Sequence, residues 1–143
     1  MARVHKSIEI KAPVKEVFAY LDDPEKEPEW MSNMIEVSNV KGSGVGKHFD
    51  WTYKLVGMKF KGESTLTQDI PEKLLVAETK GGIESTWTFK FEQRKDVTVL
   101  DLDIDYKIPL PVLGKVAEKM LLKRSARDAE TDLMNIKDRL EIH

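Results

Sequence analysis

The sequence contains no cysteine, which excludes disulfides, thiol nucleophiles and thiolate metal sites and suits a reducing, cytoplasmic setting. No apolar run approaches the ~18–20 residues of a membrane span, and the N-terminal stretch lacks the continuous apolar core of a secretion signal. No transmembrane segment is expected. Net charge is also nearly absent: 23 basic and 25 acidic residues leave -2. No global field therefore draws the chain to nucleic acid or to an anionic membrane, and nucleic acid is not expected as a partner. The catalytic signatures HExxH, GxSxG and the P-loop are missing. GSGVG at 42–46 lies between strand patterns with no helix following, so it reads as a hairpin loop and not as a dinucleotide fingerprint. Of the three histidines, His5 and His48 fall on the wet faces of predicted strands and His143 is terminal. None is placed as a base in an interior. Neither a cofactor nor a metal is expected.

What remains suits one domain spanning residues 1–143, since domains cluster near ~100–150 residues. With 41% hydrophobic residues, a chain of this size buries roughly 68–70% of its extended surface, enough for an independent core. Charged residues reach 34%, above the ~25% average, as an ion-paired surface of the thermophilic type would require.

The alternating stretch Ser7 to Ile10 is followed from Lys11 to Trp30 by KAPVKEVFAYLDDPEKEPEW. Pro13 suits a first helical position, Val14, Val17, Phe18 and Leu21 recur at helical spacing, and Asp23-Pro24 ends one helix while starting another. This strand, helix and shorter helix resemble the opening of the START-like (SRPBCC) superfamily. The likeness is in particular to its polyketide cyclase/dehydrase and lipid transport branch, whose members carry an APxxxV(F/W)xxLxD helix and a PExxPEW-like second helix. The resemblance implies an α+β helix-grip fold. Two short N-terminal helices and one long C-terminal helix would accompany a curved antiparallel sheet of about seven strands, with a hydrophobic cavity between helix and sheet.

After Trp30 the pattern is β, with turn signals at 41–47, 55–58, 69–73, 80–82 and 93–96. Phe49, Trp51, Tyr53 and Leu55 alternate with His48, Asp50, Thr52 and Lys54. Met58, Phe60, Ser64, Leu66 and Ile70 alternate with a polar set that includes Lys59, Glu63 and Asp69. Ile83, Ser85, Trp87, Phe89 and Phe91 oppose Glu84, Thr86, Thr88, Lys90 and Glu92, and Leu100, Leu102, Ile104, Tyr106 and Ile108 oppose Asp101, Asp103, Asp105 and Lys107. Each strand has one wet face. The stretches near 34–40 and 73–80 alternate less cleanly, and their facing stays open. From Pro111 to Ile142 good helix formers predict a helix of roughly 28 residues. At ~100° per residue, Leu122, Ala126, Ala129, Leu133, Ile136 and Leu140 form one stripe, while Leu113, Val116, Ala117, Met120 and Leu121 lie nearly opposite. The helix changes face near residue 121, or it kinks near Gly114.

The candidate ligand-binding residues are Trp51, Tyr53, Phe60, Ser64, Ser85, Trp87, Phe89 and Tyr106 on the inner face, with Met120, Ala126 and Ala129 on the helix. Such an aromatic face is also what a plain core looks like. Two alanines in mid-stripe hold space open, although close helix–sheet contact selects alanine as well. The Tyr53, Tyr106, Ser64 and Ser85 hydroxyls would orient a polar end, since buried hydroxyls need partners. A second candidate is an apolar rim, Leu55–Met58, Gly81-Gly82 and Ile108–Leu113. It would serve as a lid, as a docking patch for a membrane or protein, or as satellite packing. Asp101, Asp103 and Asp105 share one strand face and read as a solvated exterior. Lys123, Arg124 and Arg127 are followed by Asp128, Glu130 and Asp132, a pattern that reads as a self-paired solvated face.

These features point first to a carrier or sensor of a hydrophobic or aromatic small molecule, such as a lipid, isoprenoid, quinone or polyketide-like compound. Turnover stands second: a polyketide cyclase/dehydratase-type enzyme would move protons with Tyr or Glu side chains, Glu78 among them if it faces inward. A membrane- or protein-interaction module using the apolar rim is the third reading.

Overall fold

The computed structural model describes residues 2–55, 57–81, 84–107 and 115–141. Residues 2, 55, 115–118 and 121 are described by backbone alone, among them Leu55, Val116, Ala117 and Leu121. Val56, Gly82, Ile83, residues 108–114 and His143 lie outside the described residues, and with them most of the predicted rim. The chain runs β1 (Ala2–Ile10), α1 (Val14–Leu21), a 3-10 turn (Pro24–Lys26), α2 (Glu27–Trp30), then β2 (Met34–Lys41), β3 (His48–Leu55), β4 (Met58–Ile70), β5 (Leu74–Gly81), β6 (Ser85–Arg94) and β7 (Val97–Tyr106), and ends in α3 (Lys115–Leu140). The sheet is antiparallel and curved, in the order β1-β7-β6-β5-β4-β3-β2, so the first strand closes on the last and the N-terminal helices bridge to the far edge. This is the α+β helix-grip architecture.

Pro13 is not the first helical residue but the cap before it, and its carbonyl accepts from Glu16 N and Val17 N. Asp23 caps the next turn by accepting from Glu25 N at 3.1 Å, with Pro24 supplying the fixed φ behind it. Helix α1 buries Val17, Phe18 and Leu21 on the sheet, with Phe18 edge-on to Phe91 at 5.2 Å. Helix α3 lies against β1 and α2, and of its apolar stripe Ala129, Leu133 and Ile136 are fully buried. Its C-terminal end is tied to β1: Lys137 Nζ donates to Glu9 O at 2.9 Å, and Lys11 N donates to Glu141 at 2.7 Å.

Two irregularities explain where period-two reading loses track. Between Leu66 and Gln68, β4 carries a bulge against β5, and one extra residue inverts every later side chain. Asp69, expected outside, is consequently paired with the buried Leu75, whereas Ile70, expected inside, is 48% exposed. Strand β2 shifts register twice against β3, between Met34 and Glu36 and between Ser38 and Lys41. That is why its alternation is indistinct in the sequence.

Candidate functional site

The gap between α3 and the inner face of the sheet is not filled by side chains: it holds a cavity of about 130 Å³ with largely apolar walls. Strand β3 contributes Phe49, Trp51 and Tyr53, and β6 contributes Ser85, Trp87 and Phe89. Pleat alternation puts them there, since every second residue of a strand faces the same way. Trp51 needs more than alternation. A Cβ on its cross-strand partner Gly62 would lie 2.4 Å from the indole ring, so only glycine lets the ring lie across β4. Tyr53 stands edge-on to Trp51 at 6.5 Å, and Trp87 stacks on Phe89 at 6.2 Å.

Among the described residues, three buried donors on the lining have no hydrogen-bond partner: Trp30 Nε1, Trp51 Nε1 and Tyr106 Oη. Ser125 approaches Tyr106 closely enough to favour its phenolate, without a bond of ordinary geometry, and burial outweighs it in raising the Tyr106 phenol. By contrast Ser85 Oγ accepts from Trp87 Nε1 at 3.1 Å and shares a 2.6 Å contact with Thr79 Oγ1. Tyr53 Oη accepts from Asn33 Nδ2 at 3.3 Å, and burial pushes its pKa up to about 12.

Among the described residues, four carboxyls and one amine also line the cavity. Lys47, almost wholly buried, donates to the backbone carbonyl of Asp22 and, at 3.0 Å, to its carboxylate. Asp69 joins this group from β4: burial raises its pKa, the neighbouring Asp22 raises it further, and Lys47 opposes both. On α3, Asp128 accepts from Asn33 Nδ2 at 2.8 Å. Asp132, 1% exposed, accepts from Ser32 N and Ser32 Oγ, each at 2.9 Å. Burial carries Asp132 up to about 6 despite those two donors. Glu27 is different: its carboxyl has no hydrogen bond and no cation among the described residues, and desolvation alone pushes it up to about 8. The residue keeps some accessible surface where it lines the cavity, so its hydration is reduced and not abolished.

Of the predicted ligand-binding residues, Trp51, Tyr53, Ser64, Ser85, Trp87, Phe89, Tyr106 and Ala129 all reach the cavity wall. Three do not. Phe60 lies near the β3–β4 hairpin end, packed on the core beyond the cavity. Ala126 packs into the core cluster beside the lining position. Met120 is 67% exposed, because nine residues at ~100° each place it about half a turn round the helix from Ala129. Glu78 is exposed on the outer face of β5, so it cannot serve the interior. Asp128 and Asp132 correct the expectation of a solvated face, while Lys123, Arg124 and Arg127 are exposed as expected. Trp30 and Glu27, on a four-residue helix too short to show a period, were not legible as lining residues. The Ser125, Asp128, Asp132 row flanking Ala129 was a usable signal.

Outside the cavity, His48, Asp50 and Glu63 gather on the outer face of β3 and β4 with ligand-capable atoms within 4.8 Å of one another. Thr65 Oγ1 already bonds His48 Nδ1 at 2.9 Å and Asn39 Nδ2 donates to Asp50 at 2.8 Å, as in an ordinary surface network. On the outer face of β7, Arg3 bonds Asp103 at 3.0 and 3.1 Å. Met58, on the predicted rim, is 40% exposed. No helix among the described residues is long and apolar enough to cross a membrane.

The sequence matches the family model "Polyketide cyclase / dehydrase and lipid transport" over residues 1–141. The chain belongs to this family. No curated protein matches the sequence. Among solved structures, a protein from Thermus thermophilus superposes with a TM-score of 0.85 at 19% identity, covering 96% of each chain. A START superfamily protein from Mycobacterium smegmatis gives 0.78 at 17%, covering 99% of this chain and 98% of the other. The Zhui aromatase/cyclase from a Streptomyces species gives 0.76 at 14%, covering 97% of this chain and 93% of the other. At such identities the likeness establishes the fold, and the family's breadth leaves hydrophobic ligand binding and a cyclase or aromatase role both within range.

Proposed function

We propose that residues 1–143 act as one cytoplasmic domain that binds a hydrophobic or aromatic small molecule, as a carrier or sensor, without a cofactor. Lipids, isoprenoids, quinones and polyketide-like compounds belong to the class intended. Trp51, Tyr53, Trp87 and Phe89 are its aromatic wall, Ser64, Ser85 and Tyr106 its polar contacts, and Ala129 keeps room on the helix. The observation that carries this reading is a largely apolar cavity between α3 and the sheet, three of whose lining residues carry buried donors without a partner among the described residues. An unmade bond costs each of them about 1–3 kcal/mol, so an interior meant to stay closed would have satisfied them or replaced them with apolar groups. Native mass spectrometry with organic extraction, on protein purified from its own host, is the test. A co-purifying apolar molecule supports the reading, and protein that neither co-purifies with nor takes up any apolar compound overturns it.

Glu27 favours one second reading, turnover of the cyclase or dehydratase type. A carboxyl with a pKa near neutrality in a largely apolar cavity can take up and return a proton at working pH. Tyr106 Oη would donate to a substrate carbonyl. Turnover of an aromatic polyketide mimic that disappears in Glu27→Gln, while binding persists, would establish the enzyme. Turnover unaffected by that change would dismiss Glu27 from the chemistry.

A further inference from the structure

We infer that the cavity is built for an aromatic or alicyclic ligand that carries a basic nitrogen, with Glu27 as its counter-ion. The inference rests on the ligand-binding reading and narrows the chemical class. Among the described lining residues the ionisable side chains other than tyrosine are Asp22, Glu27, Asp128, Asp132 and Lys47. Lys47 is committed to Asp22 through both the carboxylate and the backbone carbonyl. Asn33 serves Asp128, and Ser32 serves Asp132 with two bonds. Among these, only the half-buried Glu27 carboxyl is left without a donor or cation from the described residues, and desolvation disfavours its charged form. An uncompensated carboxylate there is costly, and a ligand ammonium removes the cost by bringing the missing charge and donors together.

Two independent features suit the same group. Tyr106 is more than nine-tenths buried, lines the cavity and has a hydroxyl whose nearest polar neighbour, Ser125, makes no bond of ordinary geometry with it. That oxygen can accept from an N–H as readily as donate. Trp51, Tyr53 and Trp87 also line the cavity, and indole and phenol rings attract a desolvated cation. A carboxylate-bearing ligand, a free fatty acid for instance, meets the opposite situation. Its charge would face several acceptors and one lysine that is already engaged.

Matched probes decide the matter: 1-naphthylmethylamine, 1-naphthylmethanol and 1-naphthoic acid share a ring system and carry positive, zero and negative charge near neutral pH. Calorimetric titration at pH 7.5 should give an amine affinity at least tenfold above the alcohol, with the acid weakest. Glu27→Gln should shrink the amine's advantage over the alcohol to threefold or less. Equal affinities, a preference for the acid, or an amine preference untouched by Glu27→Gln would overturn the inference and leave the ligand-binding cavity standing. If none of the three probes binds, the cavity reading falls with it. Should Glu27→Gln fail to fold, the order of the three probes on the unmodified protein still decides for or against the inference.

Discussion

Replacing Glu27 by glutamine should stabilise the protein at alkaline pH and leave it nearly unchanged at acid pH. The folded state keeps the Glu27 proton between about 4.5, the ordinary value, and about 8, a window in which the unfolded chain has released it. The folded state thus binds more protons, stability falls as pH rises through that window, and the loss is complete above it. A rise from 4.5 to about 8 corresponds, at ~1.4 kcal/mol per pH unit, to a ceiling of roughly 4–5 kcal/mol. A side chain that turns toward the cavity mouth recovers part of its hydration, so we set the expected gain of Glu27→Gln at about 2 kcal/mol at pH 9 and near zero at pH 5. Asp132 and Asp69 are present in both proteins, so their contributions cancel in the difference. Urea unfolding of the two proteins at pH 5, 7 and 9 reads it directly. With a slope of ~1–3 kcal/mol/M, the midpoint gap should open by on the order of 1 M across the series. A gap that stays constant with pH would mean that Glu27 is hydrated or paired, and the electrostatic description of the cavity would fail.

Gly62→Val drives a side chain into the Trp51 ring and the Lys80 carbonyl. It should cost at least ~1–3 kcal/mol in chemical denaturation and shift Trp emission; unchanged emission and stability would mean the ring does not lie across β4. Ala129→Leu projects added volume from α3 into the cavity. It should weaken 1-naphthylmethanol binding by about tenfold at a stability cost under ~3 kcal/mol, as calorimetry and urea melts can check. Ser32→Ala removes one of the two donors to Asp132, whose pKa lies at about 6. The loss, ~1–3 kcal/mol at pH 8 where the carboxylate is charged, should shrink at pH 5 where it is protonated.

The aromatic inner face was legible because antiparallel strands with one wet face write their facing into alternate residues, and Trp51, Tyr53, Trp87 and Phe89 obey that rule without interruption. Where backbone geometry broke the rule, sequence reading failed with it. The bulge after Leu66 turned Asp69 inward and Ile70 outward, and nothing in the residue types around Thr67 marks it. Helix α2 has only four residues, fewer than are needed to display a period, so Glu27 and Trp30 carried no directional signal. Asp128 and Asp132 sit among exposed arginines and glutamates, where acidic residues ordinarily meet water. Their inward position depends on partners, Asn33 and Ser32, that lie about a hundred residues away in sequence. The deepest part of the site was therefore the least visible: its polar groups are set by long-range pairing, whereas its apolar wall follows local periodicity.

The chain's three tryptophans, Trp30, Trp51 and Trp87, all line the cavity, and each gives one indole N–H signal in a nitrogen-correlated NMR spectrum. Titration with 1-naphthylmethanol, an uncharged probe indifferent to the amine question, tests the central claim most directly. Binding in the cavity should move all three indole signals together with one shared saturation curve, most strongly those of Trp30 and Trp51, whose N–H groups lack partners. Saturable binding that leaves the three signals in place, or no binding at all, would contradict a ligand site between sheet and helix.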